Sequence, residues 1–411
     1  MKLFFSIILC ALTCSVSLAQ TYTLDHYLEI AKSNSPLLKD LHNQVAANQI
    51  DSLRLRAGYK TQINANSAGL YAPTVNGYGY SSAITNEHTL NALLSANQAI
   101  VSKKNINAQL DAISLLSQSI GNQAQISEQD LKKAVTAQYI TAYGDLQQFN
   151  FNREVVALLS KEEELLKTLT RSNVYHQSDY LIFLVTLKQQ QLQLLQSRLL
   201  YKNDFTTLNY LVGIADTSMV ELQEPGIQKV LLPDAGSSIF FKQYKIDSLK
   251  LANSRQLIDF SYKPKTNIIA DGGYNSDFMG QAYKNFGVSA GFTFTMPIYD
   301  GGQRKMQYHK LSLEEETRQN YKAFFDIQYR QQIAQLKQQI SENENLLYQI
   351  DEQIKYSESL IKVDTQLLQT GDLRIADLVL AINNYLTIKN LRTTTTINKL
   401  QLINQLNYWN R

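Results

Sequence analysis

Residues 104–171 and 303–370 contain no proline and no strong turn signal, so the sequence predicts two very long helices. At about 1.5 Å rise per residue, each reaches on the order of 100 Å. No compact domain needs an element of that length. The second stretch carries Ile333, Leu336, Ile340, Leu347, Ile350, Ile354, Ile361 and Leu368 at positions of one heptad seam. The first is looser, with Val135, Ala142, Phe149 and Val156 recurring once per heptad. Only 6 prolines and 17 glycines occur in 411 residues, which argues for few turns and long elements throughout. Gln189-Gln190-Gln191 and the many other Gln and Asn residues suit helices that face both neighbours and a water-filled bore.

Before each long helix the period changes to two. Val288, Ala290, Phe292, Phe294, Met296 and Ile298 alternate with Ser289, Gly291, Thr293, Thr295, Pro297 and Tyr299, apolar on one side and small or polar on the other. Leu90, Ala92, Leu94, Ala96 and Ile100 against Asn91, Ser95 and Asn97 repeat the pattern, with Leu93 and Gln98 breaking it. A preceding strand sets Ile268, Ala270, Gly272 and Tyr274 against Asn267, Ile269, Asp271 and Gly273. About ten alternating residues suit a tilted membrane strand. They suit a strand of a soluble sandwich equally well. Tyr71, Tyr78, Tyr80, Tyr274, Tyr283 and Phe286 gather in and beside the Gly-, Asn- and Ser-rich loops at 72–88 and 275–286. That is where an interfacial aromatic girdle would lie, although ordinary hairpin loops also collect tyrosine.

The chain is built twice on one plan. Thr295-Met296-Pro297-Ile298-Tyr299-Asp300-Gly301-Gly302 lines up with Asn97-Gln98-Ala99-Ile100-Val101-Ser102-Lys103-Lys104. The same offset carries Asn173 onto Gly371 and Asp179 onto Asp377. Earlier, Tyr59-Lys60-Thr61 matches Tyr262-Lys263-Pro264 at a slightly larger offset, which carries Gly69 and Tyr71 onto Gly272 and Tyr274. The first repeat, 20–215, reads as a helix, strands at 59–71 and 89–101, a long helix 104–171 and a return helix 176–212. A linker covers 216–236. The second repeat, 237–411, reads as a helix, strands at 263–274 and 287–299, a long helix 303–370 and a return helix 373–410.

Lys2, the apolar run from Leu3 to Leu18 and the small residues Ser17 and Ala19 predict a signal peptide over 1–19. The run is shorter than the roughly 20 residues of a spanning helix. Cys10 and Cys14 fall inside it, so the secreted chain is expected to carry no disulfide and no lipid anchor. No later segment approaches a transmembrane helix, and any membrane embedding must use strands. A formal net charge of +3 gives no reason to expect nucleic acid. His26, His42, His88, His176 and His309 form no pair at helical ligand spacing, and no nucleophile elbow, phosphate-binding loop or dinucleotide fingerprint occurs. No enzyme, metal or cofactor is expected. Glu162-Glu163-Glu164 reads as a solvated helix face.

Several stretches resemble the TolC family of outer-membrane efflux proteins, over essentially the whole secreted chain. They are Thr23-Leu24 with Asn34-Ser35-Pro36, Tyr262-Lys263-Pro264, Met296-Pro297-Ile298-Tyr299-Asp300-Gly301-Gly302, and Thr370-Gly371 leading to Asp377-Leu378. Two departures stand out: Ala99-Ile100-Val101-Ser102 lacks the Pro and Gly of the first-half strand end, and Asn173 replaces a Gly. The resemblance implies a membrane β-barrel continued into a long α-helical coiled-coil tunnel, formed by a homotrimer. It implies a passive exit duct in the bacterial outer membrane, with the tunnel in the periplasm, serving a tripartite efflux or type I secretion system. Its partners would be a periplasmic adaptor and an inner-membrane pump. Strand physics agrees with a trimer: four strands leave two open edges, lipid tolerates none, and single-chain barrels start at about eight strands. Three chains close one twelve-stranded barrel. Phe292, Phe294 and Ile298 then face lipid, Pro297 ends its strand, and Gly301 and Gly302 allow the bend from strand to helix.

The resemblance also places an acidic ring at the periplasmic entrance, at Asp377, with Asp179 at the equivalent place in the first half. The family's second Asp is Leu380 here. Both carboxylates also suit the positive end of a helix dipole. Val174, Tyr175, Asp372, Leu373 and Arg374, at the two helix-to-helix turns, are candidate contacts for the adaptor. A stand-alone porin would leave the long helices without a use, and a periplasmic scaffold would leave the alternating strands unexplained.

Overall fold

A computed structural model describes residues 23–81, 88–216, 218–230, 238–277 and 284–410. The expected signal peptide with Cys10 and Cys14, and Tyr283 of the expected girdle, lie outside the described residues. In chain order the elements are α1 (Leu24–Asn34), α2 (Pro36–Gly58), β1 (Gln62–Tyr71), β2 (His88–Ile100), α3 (Lys103–Arg171) and α4 (Gln177–Val212). They continue with α5 (Ile239–Ser261), β3 (Lys265–Ser276), β4 (Phe286–Thr295), α6 (Gln303–Thr370) and α7 (Ile375–Tyr408). The described part of the expected linker holds neither helix nor strand.

The structure differs most from the expected elements in three places, with other ends shifted by one or two residues. The opening helix is two helices. Ser35 accepts the Leu38 N–H at 3.3 Å, and Pro36 stands first in α2, where its missing N–H costs nothing. Strand β1 begins at Gln62 rather than 59, because Tyr59 and Lys60 still close α2 through their amides to Arg56 and Ala57. Strand β4 ends at Thr295 rather than 299, so Pro297 and Ile298 lie beyond it.

The chain divides into two compact units that interleave in sequence. One comprises 40–124 and 239–325 and holds the strands. They form a four-stranded antiparallel sheet in the order β1-β2-β3-β4. Leu90, Ala92, Leu94 and Ala96 stand opposite Gly69, Ser67, Ala65 and Ile63 on one side and opposite Ser276, Tyr274, Gly272 and Ala270 on the other. Phe292 and Phe294 stand opposite Ile268 and Thr266, so the alternating apolar residues of β2, β3 and β4 share one face with Ile63 and Ala65, while Leu70, Leu93 and Ile269 lie on the other. Both Phe292 and Val288 are largely exposed. The helical segments of this unit are tied by Asn122, which donates to the Ile239 carbonyl at 3.1 Å, and by Phe241 against Phe325 at 5.1 Å.

The other unit, 1–39, 125–238 and 326–411, holds helices and no strand among its described residues. Its core packs Tyr27 and Ala31 of α1 with Val135, Tyr139 and Ala142 of α3 and Tyr201, Phe205 and Leu208 of α4. The α6 seam is real: Leu336, Ile340, Ile350, Ile354 and Leu368 are buried, and Ile333, Leu347 and Ile361 half-buried. The amide side chains bridge helices. Gln401 and Asn404 of α7 each donate to an α3 carbonyl, Ala137 and Lys133, at 2.9 Å. Gly144 lets α7 approach α3 closely, since a Cβ there would lie 2.8 Å from Ile397. Among the described residues no helix is long and apolar enough to cross a membrane.

Candidate functional site

The two helix-to-helix turns are built alike. At the end of α3, Asn173 N–H reaches the Thr170 carbonyl at 3.1 Å and Val174 N–H reaches Leu169 at 3.0 Å. At the end of α6, Gly371 N–H reaches Leu368 at 3.3 Å and Asp372 N–H reaches Leu367 at 3.1 Å. This paired closure needs one residue in the left-handed region, and Asn173 (φ 57°) and Gly371 (φ 81°) supply it. Asn stands in for Gly because its short polar side chain tolerates that conformation best after Gly.

The next helix starts also correspond. Asp179 in the first turn of α4 accepts the His176 N–H at 3.1 Å. Asp377 in the first turn of α7 accepts Arg374 Nε at 2.8 Å and Nη2 at 2.9 Å. Each carboxylate therefore serves its own helix start, and Asp377 carries a cation beside it.

Around them the turns touch. Val174 is half-exposed, with Cγ1 2.8 Å from where a Cβ on Gly371 would lie. Tyr175 is not the surface residue expected for a docking contact: it is 8% exposed and its hydroxyl donates to the Leu368 carbonyl at 3.3 Å. Burial holds its pKa up, and the charges of Asp372 and Asp179 add to the effect. Leu373 packs onto the apolar cluster of Leu166, Phe183, Leu368, Ile375 and Leu378. Of the five expected contacts, Val174, Asp372 and Arg374 present surface.

Two acidic groups escaped the sequence reading. Asp364 is 7% exposed, in the α6 seam between Ile361 and Leu368. Burial raises its pKa, and the nearby charge of Asp377 raises it further. The heptad spacing marks the position, yet a seam expected to be apolar hid it. Asp145 of α3 meets Asp204 of α4, and Asp145 Oδ2 is buried without a hydrogen-bond partner. Burial first, then the closeness and charge of the Asp204 carboxylate, push the Asp145 carboxyl up to about 7. Gln138 donates to Asp204 Oδ1 at 3.0 Å. Nor is the Glu162-Glu163-Glu164 run merely a solvated face: Glu163 accepts from the Tyr180 hydroxyl, and burial raises the Glu162 carboxyl.

At the strand-to-helix bend, Gly301 (φ 65°) and Gly302 (φ 83°) both occupy the left-handed region. Asp300 accepts the amides of Gly302 and Arg304, each at 2.8 Å. The first half passes from strand to helix without glycine and without a left-handed residue, its helix starting at Lys103. There Ser102, the counterpart of Asp300, accepts the Asn105 amide at 3.3 Å. Among the described residues no three His, Cys, Asp or Glu side chains gather as metal ligands.

No protein-family model matches the sequence, and no curated protein does. Solved structures do match. A membrane protein from Pseudomonas aeruginosa superposes with a TM-score of 0.77 at 14% identity, covering 94% of this chain and 89% of that one. The outer membrane protein VceC from Vibrio cholerae gives 0.75 at 14%, covering 94% and 95%. The chain has a TolC-like fold. The MtrE outer membrane channel from Neisseria gonorrhoeae, in its open state, gives 0.76 at 10% identity, covering 94% and 88%. At such identities the likeness is one of fold, and it runs the length of both partners. The alternating strands of the TolC-like fold are thus distinguished from those of a soluble sandwich.

Proposed function

We propose that this chain is one third of an outer-membrane channel, the passive exit duct of a tripartite efflux or type I secretion system. The observation that carries the reading is the sheet: four antiparallel strands with an apolar face and two unpaired edges, in a chain of TolC-like fold. Lipid does not tolerate open edges, so three copies closing one twelve-stranded barrel satisfy every strand. Phe292, Phe294 and the neighbouring Ile298 then face lipid. The paired helices of three chains enclose a tunnel, and the turns at Asn173 and Gly371 form its periplasmic end.

In this reading the turns serve as both gate and dock. Asp377 and Asp179 line the constriction, and Val174, Asp372 and Arg374 meet a periplasmic adaptor that links the duct to an inner-membrane pump. Arg374 beside Asp377 tempers the acidic ring, and Asp364 adds a carboxylate from the opposite helix. The two sequence repeats, 20–215 and 237–411, give the threefold assembly an approximate sixfold character. Mass measurement in mild detergent tests the reading, together with conductance after insertion into planar bilayers. A trimer that conducts poorly until its turns are altered is the expected result. A water-soluble monomer, or a fully open pore, would refute it.

A further inference from the structure

Among the described residues, strands β1 and β4 each have one hydrogen-bonded neighbour in the sheet, and the internal repeat bears on what their other sides meet. The offset that carries Tyr59 onto Tyr262 carries Gln62 onto Lys265, and the one that carries Asn173 onto Gly371 carries Asn97 onto Thr295. In the sheet Gln62 stands opposite Asn97, and Lys265 stands opposite Thr295. The two hairpins therefore share one register, at offsets read partly from residues outside the sheet.

The ladder joining the hairpins, β2 against β3, sets Leu94 opposite Gly272, Ser95 opposite Asp271 and Ala96 opposite Ala270. In a ring of such repeats its counterpart is β4 of one chain against β1 of the next. Carrying β2 onto β4 and β3 onto β1 puts Phe292, Thr293 and Phe294 opposite positions 69, 68 and 67. We propose that copies of this chain join in this register: Phe292 opposite Gly69 of the partner subunit, Thr293 opposite the partner's Ala68, and Phe294 opposite the partner's Ser67. This rests on the assembly proposed above and adds its register.

Four features agree with it. Strands β1 and β3 run one way and β2 and β4 the other, so the junction is antiparallel like the rest of the sheet. The register keeps Phe292 and Phe294 on the face of Ile63 and Ala65, whereas a slip of one residue would turn the apolar side of β4 to the opposite face. It also sets the two large rings against the small Gly69 and Ser67. Strand length fits as well. Strand β2, paired on both sides, runs to Ile100, whose counterpart is Ile298, while the edge strand β4 stops at Thr295. In this register Ile298, just past Pro297, lies at the position opposite the partner's Ile63. Both are strongly exposed in the single chain, at 94% and 72%.

The test is cysteine cross-linking of the full chain, with Cys10→Ser and Cys14→Ser removing other thiols. Thr293→Cys with Ala68→Cys and Phe294→Cys with Ser67→Cys are adjacent rows, so one is the closer, non-hydrogen-bonded pair. Thr293→Cys with Asn66→Cys or with Leu70→Cys samples registers shifted by two. Ser95→Cys with Asp271→Cys is the control within one chain. Mild oxidation should give covalent trimer on a denaturing gel from at least one matched pair, at least tenfold more than from either shifted pair. A trimer by mass whose strongest cross-link is a shifted pair, or which cross-links at no pair, overturns the register and leaves the trimer standing. If replacing Phe294 blocks assembly, Gly291→Cys with Leu70→Cys reads the same register. A monomer by mass in the parent chain overturns both proposals.

Discussion

Replacing Gly371 by Ala tests how the second turn is held. Two costs arise at this site. The backbone stands at φ 81°, where a Cβ costs roughly 1–2 kcal/mol. The new Cβ would also lie 2.8 Å from Val174 Cγ1. Val174 is 47% exposed, so its side chain can turn away and the contact adds little. The backbone term should dominate. Because the turn opens without unfolding the long helices, the fitting assay is hydrogen exchange on a peptide covering 367–375. There the amides of Gly371 and Asp372 are bonded to Leu368 and Leu367. A loss of about 1–2 kcal/mol speeds their exchange roughly 5- to 30-fold. Adding Val174→Ala should recover little of that, while Gly371→Asn should exchange more slowly than Gly371→Ala, because Asn173 holds the same conformation at the matching position. Full recovery in the Val174→Ala double variant would refute the argument and make the contact the dominant cost.

Phe292→Lys or Phe294→Lys should lower trimer yield in detergent, because a lysine near mid-membrane on the lipid face costs about 2–4 kcal/mol; normal yield from both would reverse the faces. Asp377→Asn with Asp179→Asn should weaken block of the closed duct by a trivalent cation added from the periplasmic side, more so at low ionic strength. An unchanged block would leave these carboxylates as helix-start residues only. The Asp145 carboxyl is raised to about 7 in the fold, so between the ordinary carboxylate range and that pH the folded chain binds the extra proton. Stability should accordingly fall as pH rises through this window. Thermal melting from pH 4 to 8 should show a smaller fall for Asp145→Asn, and identical slopes for variant and parent would count against the pair.

Period and punctuation made the long elements legible. The α6 seam, the alternation in β4 and the pairing of the two turns all follow from side chains that repeat at a fixed spacing. Element ends were less so, because they depend on neighbours: β4 stops at Thr295 where its second partner is missing, and Tyr59 is held by α2. The site divided in the same way. Asp179 and Asp377 could be placed from the repeat, but the Arg374 guanidinium clasping Asp377 is a choice of rotamer that spacing does not reveal. The burial of Tyr175, and the meeting of Asp145 with Asp204, are contacts between separate helices. No local pattern announces them.

The bare sides of β1 and β4 have a consequence for how the protein must be made. Neither ten-residue strand contains Lys, Arg, Asp, Glu or Pro, the residues that ordinarily keep an exposed edge from recruiting foreign strands. In the proposed assembly, a copy that has not yet found its partners is a sticky template for whatever extended chain it meets. Nothing in these two strands discourages a wrong match, so protection during transit has to come from an escort or from speed. In the proposed trimer its folding stability would also be tied to how many copies are present, and dilution alone should unravel what crowding assembles.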